Sequence, residues 1–300
     1  MIEVSSCVIC DSPIRQLERA LVAPFLARRI WNRAPFCVDL VKCESCGFLF
    51  YNPRLDDSDL RKLYGGYRTE EYRRMRHSTE PWYTAKFNAD LASDESYRKR
   101  RAKLAPILNQ HIGNRKISRI LDHGGDRGDL VVGLIEGADA FVYDISGIPA
   151  TESVTAIADP AACSADLIIN SNVLEHVGFP VDLVKQIFRA APEGGLVFLE
   201  TPCEIPLGFT RIARRLAQVG VMTFFHPLLS RFILRPATFY MMHEHINYFT
   251  EQSLTKLTLV SGGTVLASGT YSVSGRAGNA DIVWCIATKP RIQAAGFEVL

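Results

Sequence analysis

The sequence predicts an α/β protein: an open, doubly wound, Rossmann-like sheet preceded by a small N-terminal metal-binding module. Three observations carry that prediction. Between Ile117 and Asp144 one apolar run ends in Asp122, a turn follows with Gly124, Gly125 and Gly128, and a second apolar run ends in Asp144. Leu167, Ile168 and Ile169 then form a wholly apolar run that opens into Asn170 and Asn172, as a strand covered on both faces does at its carboxyl end. Ahead of both stand two C-x-x-C pairs, Cys7 with Cys10 and Cys43 with Cys46.

Composition bounds what such a chain can be. Its 300 residues are 47% apolar, enough for one sizeable domain and a small one. A net charge of +2 argues against a nucleic-acid specialist. There is no apolar run of ~18 residues to span a bilayer, and MIEVSSCVIC lacks the basic-then-apolar layout of a signal peptide. A cytoplasmic setting follows, in which the eight cysteines are better read as thiols or metal ligands than as disulfides. The expected organisation is a zinc-binding module over 1–60, a helical linker or lid over 61–112, and the main domain over 113–290 with an insertion at about 205–242.

Taken in order, the module comes first. The two cysteine pairs are separated by 32 residues, and four thiolates so arranged make a closed tetrahedral site with no position open for chemistry. A redox dithiol and unpaired core cysteines are the competing readings. A hairpin or short helix over 17–33 fills the long loop. After Cys46 the chain continues GFLFYNPRLDDSDLRKLYGGYRTEEY. This stretch resembles the zinc-binding leader of bacterial sugar methyltransferases, including the deoxysugar C-methyltransferases. There C-x-x-C-G is followed by aromatics, an Asn-Pro pair and an acidic helix ending in tyrosines. The resemblance implies that some of the clustered tyrosines, Tyr72 and Tyr83 among them, face the cofactor or a sugar. Packing of the linker onto the main domain is the alternative. A charged helix over 93–110 leads into the first strand, interrupted by Pro106, its Lys/Arg run most simply a solvated face.

The glycine turn bears the cofactor. Glycines let backbone approach a ligand without Cβ interference, and a helix over 130–136 would aim its N–H groups into the turn. Asp144 lies 22 residues beyond Asp122, close to the ~20 expected of a carboxylate that takes ribose hydroxyls. A pyrophosphate would be repelled by Asp122 and Asp126, whereas the ammonium and sulfonium of S-adenosylmethionine would be attracted. The segment resembles the first motif of class I methyltransferases, D/E-x-G-x-G-x-G, with Asp126 in place of the middle glycine. That resemblance implies the family's seven-stranded sheet, with Asp122, Gly124, Gly125, Gly128, Asp144 and Ile145 around the cofactor. A third strand over 154–158 is followed by Asp159, where the family often places a residue near adenine.

The next stretch runs from Asp166 through Asn170-Ser171-Asn172-Val-Leu-Glu175-His176-Val177. In methyltransferases of this kind the pattern runs along the cofactor and ends in a histidine facing the substrate, which implicates Asn170, Asn172 and His176. A helix over 183–189 and a fifth strand follow. Between Glu204 and Glu244 there is then no acidic residue, yet there are five arginines, Arg211, Arg214, Arg215, Arg231 and Arg235, among many aromatic and aliphatic residues. Three readings stay open. Arg214 and Arg215 could face the phosphates of a nucleotide-linked sugar. The stretch over 207–240 could instead lie on an anionic membrane at its inner face and reach a lipid-linked glycan, or it could pack as an apolar insertion.

His243-Glu244-His245-Ile-Asn-Tyr-Phe-Thr250 comes next. A zinc reading of His-x-His fails for want of a nearby third ligand. The run resembles H-E-H-x-x-Y-F-S/T-x-x-S-L of the sugar methyltransferases, which implies a substrate-facing role for His243 and action on the sugar by Glu244 and His245. Met242 stands where the C-methylating branch often has tyrosine. Two β-like runs, 264–273 and 282–288, close the sheet with an antiparallel last strand.

Methyl transfer from a sulfonium needs an in-line nucleophile and removal of a proton from the acceptor. Histidine titrates near neutral pH and suits the task, so His245 is the expected base, Glu244 orients it, and His176 assists from the opposite wall. The expected function is O-methylation of a nucleotide- or lipid-linked sugar, with C-methylation of a keto-deoxysugar as the alternative. Two rivals are a zinc-ribbon RNA methyltransferase, disfavoured by the overall charge, and a non-catalytic cofactor-binding scaffold.

Overall fold

The computed structural model describes residues 1–67, 69–81, 83–91, 93–204, 241–275 and 278–291. The larger of two sheets has seven strands: β4 (Arg119–His123), β5 (Asp139–Tyr143), β6 (Thr155–Ala156), β7 (Leu167–Ser171), β8 (Leu196–Pro202), β11 (Thr264–Gly275) and β12 (Gly278–Thr288). Their spatial order is β11-β12-β8-β7-β4-β5-β6. The five strands β4 to β8 pair in parallel, and β12 is the reversed strand, antiparallel to β8 and to β11. Both C-terminal runs are therefore strands of this sheet, and the expected seven-stranded α/β architecture is present.

Side-chain alternation splits the core in two. Leu167 and Ile169 of β7, Leu196 and Phe198 of β8, and Trp284 and Ile286 of β12 face one cluster with Leu104, Leu108 and Ile112 of α5 (Asp94–Ile112). Ile168, Val197, Leu199, Val283 and Cys285 face the other, against α6 (Pro180–Ala190) and α7 (Glu251–Val260). Pro180 starts α6 where its missing N–H costs nothing, and Val184, Ile187 and Phe188 supply its buried stripe. Thr250 and Ser253 form a capping box on α7.

Two local expectations are corrected. Pro106 does not interrupt α5, which runs unbroken through it. Leu104, Leu108 and Ile112, spaced by four residues and buried, offset the lost backbone bond of about 3 kcal/mol. Conversely, the helix expected over 130–136 is absent: 129–137 is a chain of turns, with i-to-i−3 bonds from Val131 to Gly128 and from Leu134 to Val131. Gly133 at φ 63° takes a left-handed conformation that an α-helix excludes. The buried Leu130, Val131 and Leu134 still pack on the sheet, so their burial wins over helical propensity.

The smaller sheet has five strands: β1 (Ile14–Val22), β2 (Cys37–Cys43), β3 (Leu49–Asn52), β9 (Met241–Met242) and β10 (Asn247–Tyr248). Its order is β10-β3-β2-β1-β9, so two of its strands come from after residue 240. Helix α1 (Pro24–Trp31) lies in the loop between the cysteine pairs. Arg54, fully buried, ties the sheet to the main domain by donating to the carbonyls of Tyr51, Gly178 and Val177 and to the side chain of Asn247. Helices α2 (Asp57–Tyr64), α3 (Glu70–Thr79) and α4 (Ala85–Leu91) form the linker. Among the described residues no helix is long and apolar enough to cross a membrane.

Candidate functional site

The four cysteines of the N-terminal module converge. The Cys7 and Cys46 sulfurs are 3.8 Å apart and those of Cys10 and Cys43 are 3.5 Å apart. A tetrahedron of ~2.3 Å zinc–sulfur bonds has edges of about 3.8 Å. Backbone N–H groups of Ile9 and Cys46 donate to the sulfurs of Cys7 and Cys43, each at 3.4 Å. The donor set fits a structural zinc ion held by Cys7, Cys10, Cys43 and Cys46, and three of these residues sit in the core that α6 and α7 share.

The cofactor cradle lies at the carboxyl ends of β4, β5 and β7, where open α/β sheets bind ligands. Asp122 is 1% exposed and both carboxylate oxygens lack a hydrogen-bond partner. A Cβ on Gly125 would fall 2.0 Å from that carboxyl carbon, so only glycine lets the turn close over Asp122. Burial raises the Asp122 carboxyl to about 7, with Arg100 opposing and Asp144 adding to the rise. Asn170 donates to the His123 carbonyl at 2.8 Å and leaves Oδ1 unpartnered. Asn172, at φ 55°, likewise leaves Oδ1 buried without a partner.

All of these orphaned atoms are acceptors. A ligand presenting N–H donors and positive charge would satisfy them, which is what the ammonium and sulfonium of S-adenosylmethionine offer. Asp144 accepts from the N–H of Asp126 at 2.9 Å and of Ser146 at 2.7 Å, fixing the turn against the end of β5. Ile145 beside it is 63% exposed, an apolar surface at the rim. Asp159 is engaged locally, its carboxylate accepting from the Ala161 N–H as the cap of a short 3-10 turn.

The basic run of α5 is not wholly a solvated face. Arg100 turns inward, donating to Ser171 and, at 3.2 Å, to the buried Glu200, which also accepts from Tyr271 at 2.5 Å. Arg101 donates to the Asp129 carbonyl at 2.5 Å.

Beyond the end of β7 a wall is assembled from four distant segments. His176, just after β7, has Nδ1 3.0 Å from the Glu244 carbonyl and Nε2 3.7 Å from Glu175. Its ring meets that of His245 edge-on with centroids 4.8 Å apart. His245 Nδ1 is 3.0 Å from Glu204, so Glu204 is the carboxylate that orients it. Glu244 was expected in that role, but its carboxylate faces away and accepts from Tyr72 at 2.9 Å and Arg76 at 2.8 Å. Although burial favours the neutral form, Arg76 and His243 hold Glu244 at about 2.

Arg76 also bonds Glu80 at 2.7 Å, and Glu80 in turn meets His243. The chain Tyr72–Glu244–Arg76–Glu80–His243 is thus a closed set of buried partners. Tyr83 stacks under Arg76, 4.0 Å from ring centre to guanidinium, and donates to Asn88, which puts it behind the wall.

Burial lowers His176, with His245 pushing the same way. Burial would also lower His245, but Glu204, Glu175 and Glu244 together raise it to about 9. Near neutral pH His176 is therefore the free base and His245 the imidazolium, the reverse of the expected order. Sequence reasoning missed Glu204, Glu175, Arg76 and Glu80; only Glu175 carried a signal, inside the V-L-E-H run. Tyr64, at the end of α2, also meets this wall. Its buried hydroxyl lacks a partner and its ring centre is 5.8 Å from that of His176. Arg214, Arg215 and residues 205–240 of the expected insertion lie outside the described residues.

The model of a family described as a methyltransferase domain matches residues 91–267, more than half of the chain. No curated protein sequence matches it. Among solved structures it is similar to a SAM-dependent methyltransferase from Methanosarcina mazei, at 16% identity over 62% of this chain and 97% of the other, with a TM-score of 0.44. It is similar also to 1,6-didemethyltoxoflavin-N1-methyltransferase from Burkholderia thailandensis, at 16% identity over 85% and 96% of the two chains, with a TM-score of 0.49. The magnesium protoporphyrin IX methyltransferase from Synechocystis is 16% identical over 77% and 99%, with a TM-score of 0.43.

Proposed function

The chain belongs to the methyltransferase-domain family and is an S-adenosylmethionine-dependent methyltransferase, and from that premise we propose that it methylates a hydroxyl group of a sugar. S-adenosylmethionine supplies an electrophilic methyl group on a sulfonium. In this reading Asp122, Asn170 and Asn172 bind its cationic end, Asp144 its ribose, and Ile145 its adenine.

The observation that carries the acceptor class is the wall beyond β7. Two histidines and Glu175 are gathered there, backed by Glu204 and the Glu244 network. Such a surface suits a polyhydroxylated acceptor, whose many O–H groups need acceptors and a base. His176, neutral and oriented by the Glu244 carbonyl, takes the acceptor proton. His245, charged and held by Glu204, donates to an acceptor oxygen and fixes its position. Met242, fully buried where the C-methylating branch has tyrosine, favours oxygen over carbon as the nucleophile.

The test has two stages. Calorimetric titration of zinc-replete protein with S-adenosylhomocysteine should give binding that Asp144→Ala removes. Incubation with S-adenosylmethionine and a panel of nucleotide-linked sugars should then yield a product heavier by the mass of one methylene. Turnover only on non-sugar acceptors would sink the sugar assignment and leave the family intact.

A further inference from the structure

We propose that Glu175, His176 and His245 form a second metal site, for a divalent transition-metal ion, in the acceptor wall and distinct from the four-cysteine site. Each residue offers one ligand atom, and the three atoms lie within 4.8 Å of one another. The His176 Nε2 to Glu175 oxygen separation is 3.7 Å; ligands bound at ~2.0–2.1 Å in a tetrahedron stand about 3.4 Å apart. A contraction of a few tenths of an ångström brings this pair to bonding geometry.

The stronger argument is what lies behind the ligands. A metal-binding imidazole usually donates its other ring N–H to a carboxylate or a backbone carbonyl, and ligating carboxylates are themselves hydrogen-bonded. All three elements are present. His176 Nδ1 faces the Glu244 carbonyl at 3.0 Å, His245 Nδ1 faces Glu204 at 3.0 Å, and the second oxygen of Glu175 accepts from Thr201 at 2.8 Å. The contact at Nδ1 leaves His176 Nε2 toward the Glu175 oxygen, and the contact to Glu204 leaves Nε2 as the free nitrogen of His245. An ion at the His245 Nε2 displaces the second proton of that ring.

His243, the partner that a His-x-His reading would enlist, is turned the other way onto Glu80. The site therefore pairs His245 with a histidine 69 positions earlier, which no local motif announces. Two imidazoles and one carboxylate suit Zn²⁺, Co²⁺, Mn²⁺ or Fe²⁺ and leave positions open. With the wall read as the acceptor site, on which this inference rests, those open positions would take an acceptor oxygen and favour its ionised form. In metal-loaded protein His176 Nε2 is taken by the ion, so the acceptor proton would pass to solvent and the ion would stabilise the negative charge left on oxygen.

The test titrates protein already carrying one zinc per chain with Co²⁺, counting ions by elemental analysis and recording visible spectra. The expected result is one further ion per chain with weak d–d bands and no sulfur-to-cobalt charge-transfer band. His176→Ala and His245→Ala should abolish that uptake while keeping the first zinc, and Glu204→Gln should weaken it about 10–100-fold. No second ion at millimolar Co²⁺, or uptake unchanged in both histidine variants, overturns the proposal. S-adenosylhomocysteine binding is measured on the same samples. Cofactor binding without a second ion removes only the metal site, and ion uptake without cofactor binding removes only the methyl-transfer reading.

Discussion

The cradle and the wall are built on opposite principles. On the cradle side, Asp122, Asn170 and Asn172 keep buried acceptor atoms without partners. On the wall side, the Glu244, Arg76, Glu80 and His243 side chains satisfy one another within the protein. A site that binds a cation leaves its acceptors waiting, because a buried unsatisfied group favours the ligand that satisfies it. A site that positions a reacting group fixes its own side chains first, so that little is reorganised when the acceptor arrives.

Four substitutions break or sharpen that contrast. The largest effect on stability should come from Arg76→Met. It leaves the buried Glu80 and the partly exposed Glu244 without their shared cation, and breaking such a largely buried pair costs up to about 3–5 kcal/mol. A shift in denaturant midpoint measures it; an unchanged midpoint would mean that the wall is not internally satisfied.

On the cradle side, Gly125→Ala would drive a methyl group into the Asp122 carboxyl. S-adenosylhomocysteine affinity should fall by at least ~100-fold, about 2.7 kcal/mol, with smaller loss of stability than Arg76→Met. Equal binding by calorimetry would show that the turn can open at no cost.

The pH profile of kcat/KM, measured without added divalent metal, probes the histidine pair. Activity needs neutral His176, whose pKa is lowered, and charged His245, raised to about 9. The rate should rise through the acid range below the usual histidine value, hold near neutrality, and fall near pH 9, with both limbs belonging to the coupled pair. Glu204→Gln removes an interaction that favours the charged form of His245, so the alkaline limb should move to lower pH. A limb that stays in place would remove Glu204 from its orienting role. The smallest effect is expected of Tyr83→Phe, which loses one hydrogen bond to Asn88, about 1 kcal/mol, and leaves kcat/KM unchanged because Tyr83 lies behind the wall.

The same contrast explains what the sequence made legible. The cradle is one continuous turn and two strand ends, so Asp122, Gly125, Asn170 and the interval to Asp144 read as a local pattern. The alternation of Leu167, Ile168 and Ile169 between two core faces was equally local, and the sheet followed from it. The wall joins 72–80, 175–176, 204 and 243–245, and no periodicity links segments so far apart. Resemblance supplied His176, Glu244 and His245 but gave Glu244 the part that Glu204 plays. The helix expected over 130–136 failed for another reason: its residues are apolar enough to pack, but Gly133 sits in a left-handed backbone conformation that the sequence pattern does not report.

The smaller sheet sets a timetable for synthesis. β1, β2 and β3 are made first, yet their outer partners β9 and β10 are encoded roughly 190 residues later. At ~5–20 residues per second the nascent sheet waits roughly ten to forty seconds with two unpaired edges. The guanidinium of Arg54 waits in water for the same carbonyls and for Asn247. The four cysteines are all translated by residue 46, so metal capture can restrain this fragment long before its edges close. Limited proteolysis of stalled chains, with and without zinc, would time the two events separately.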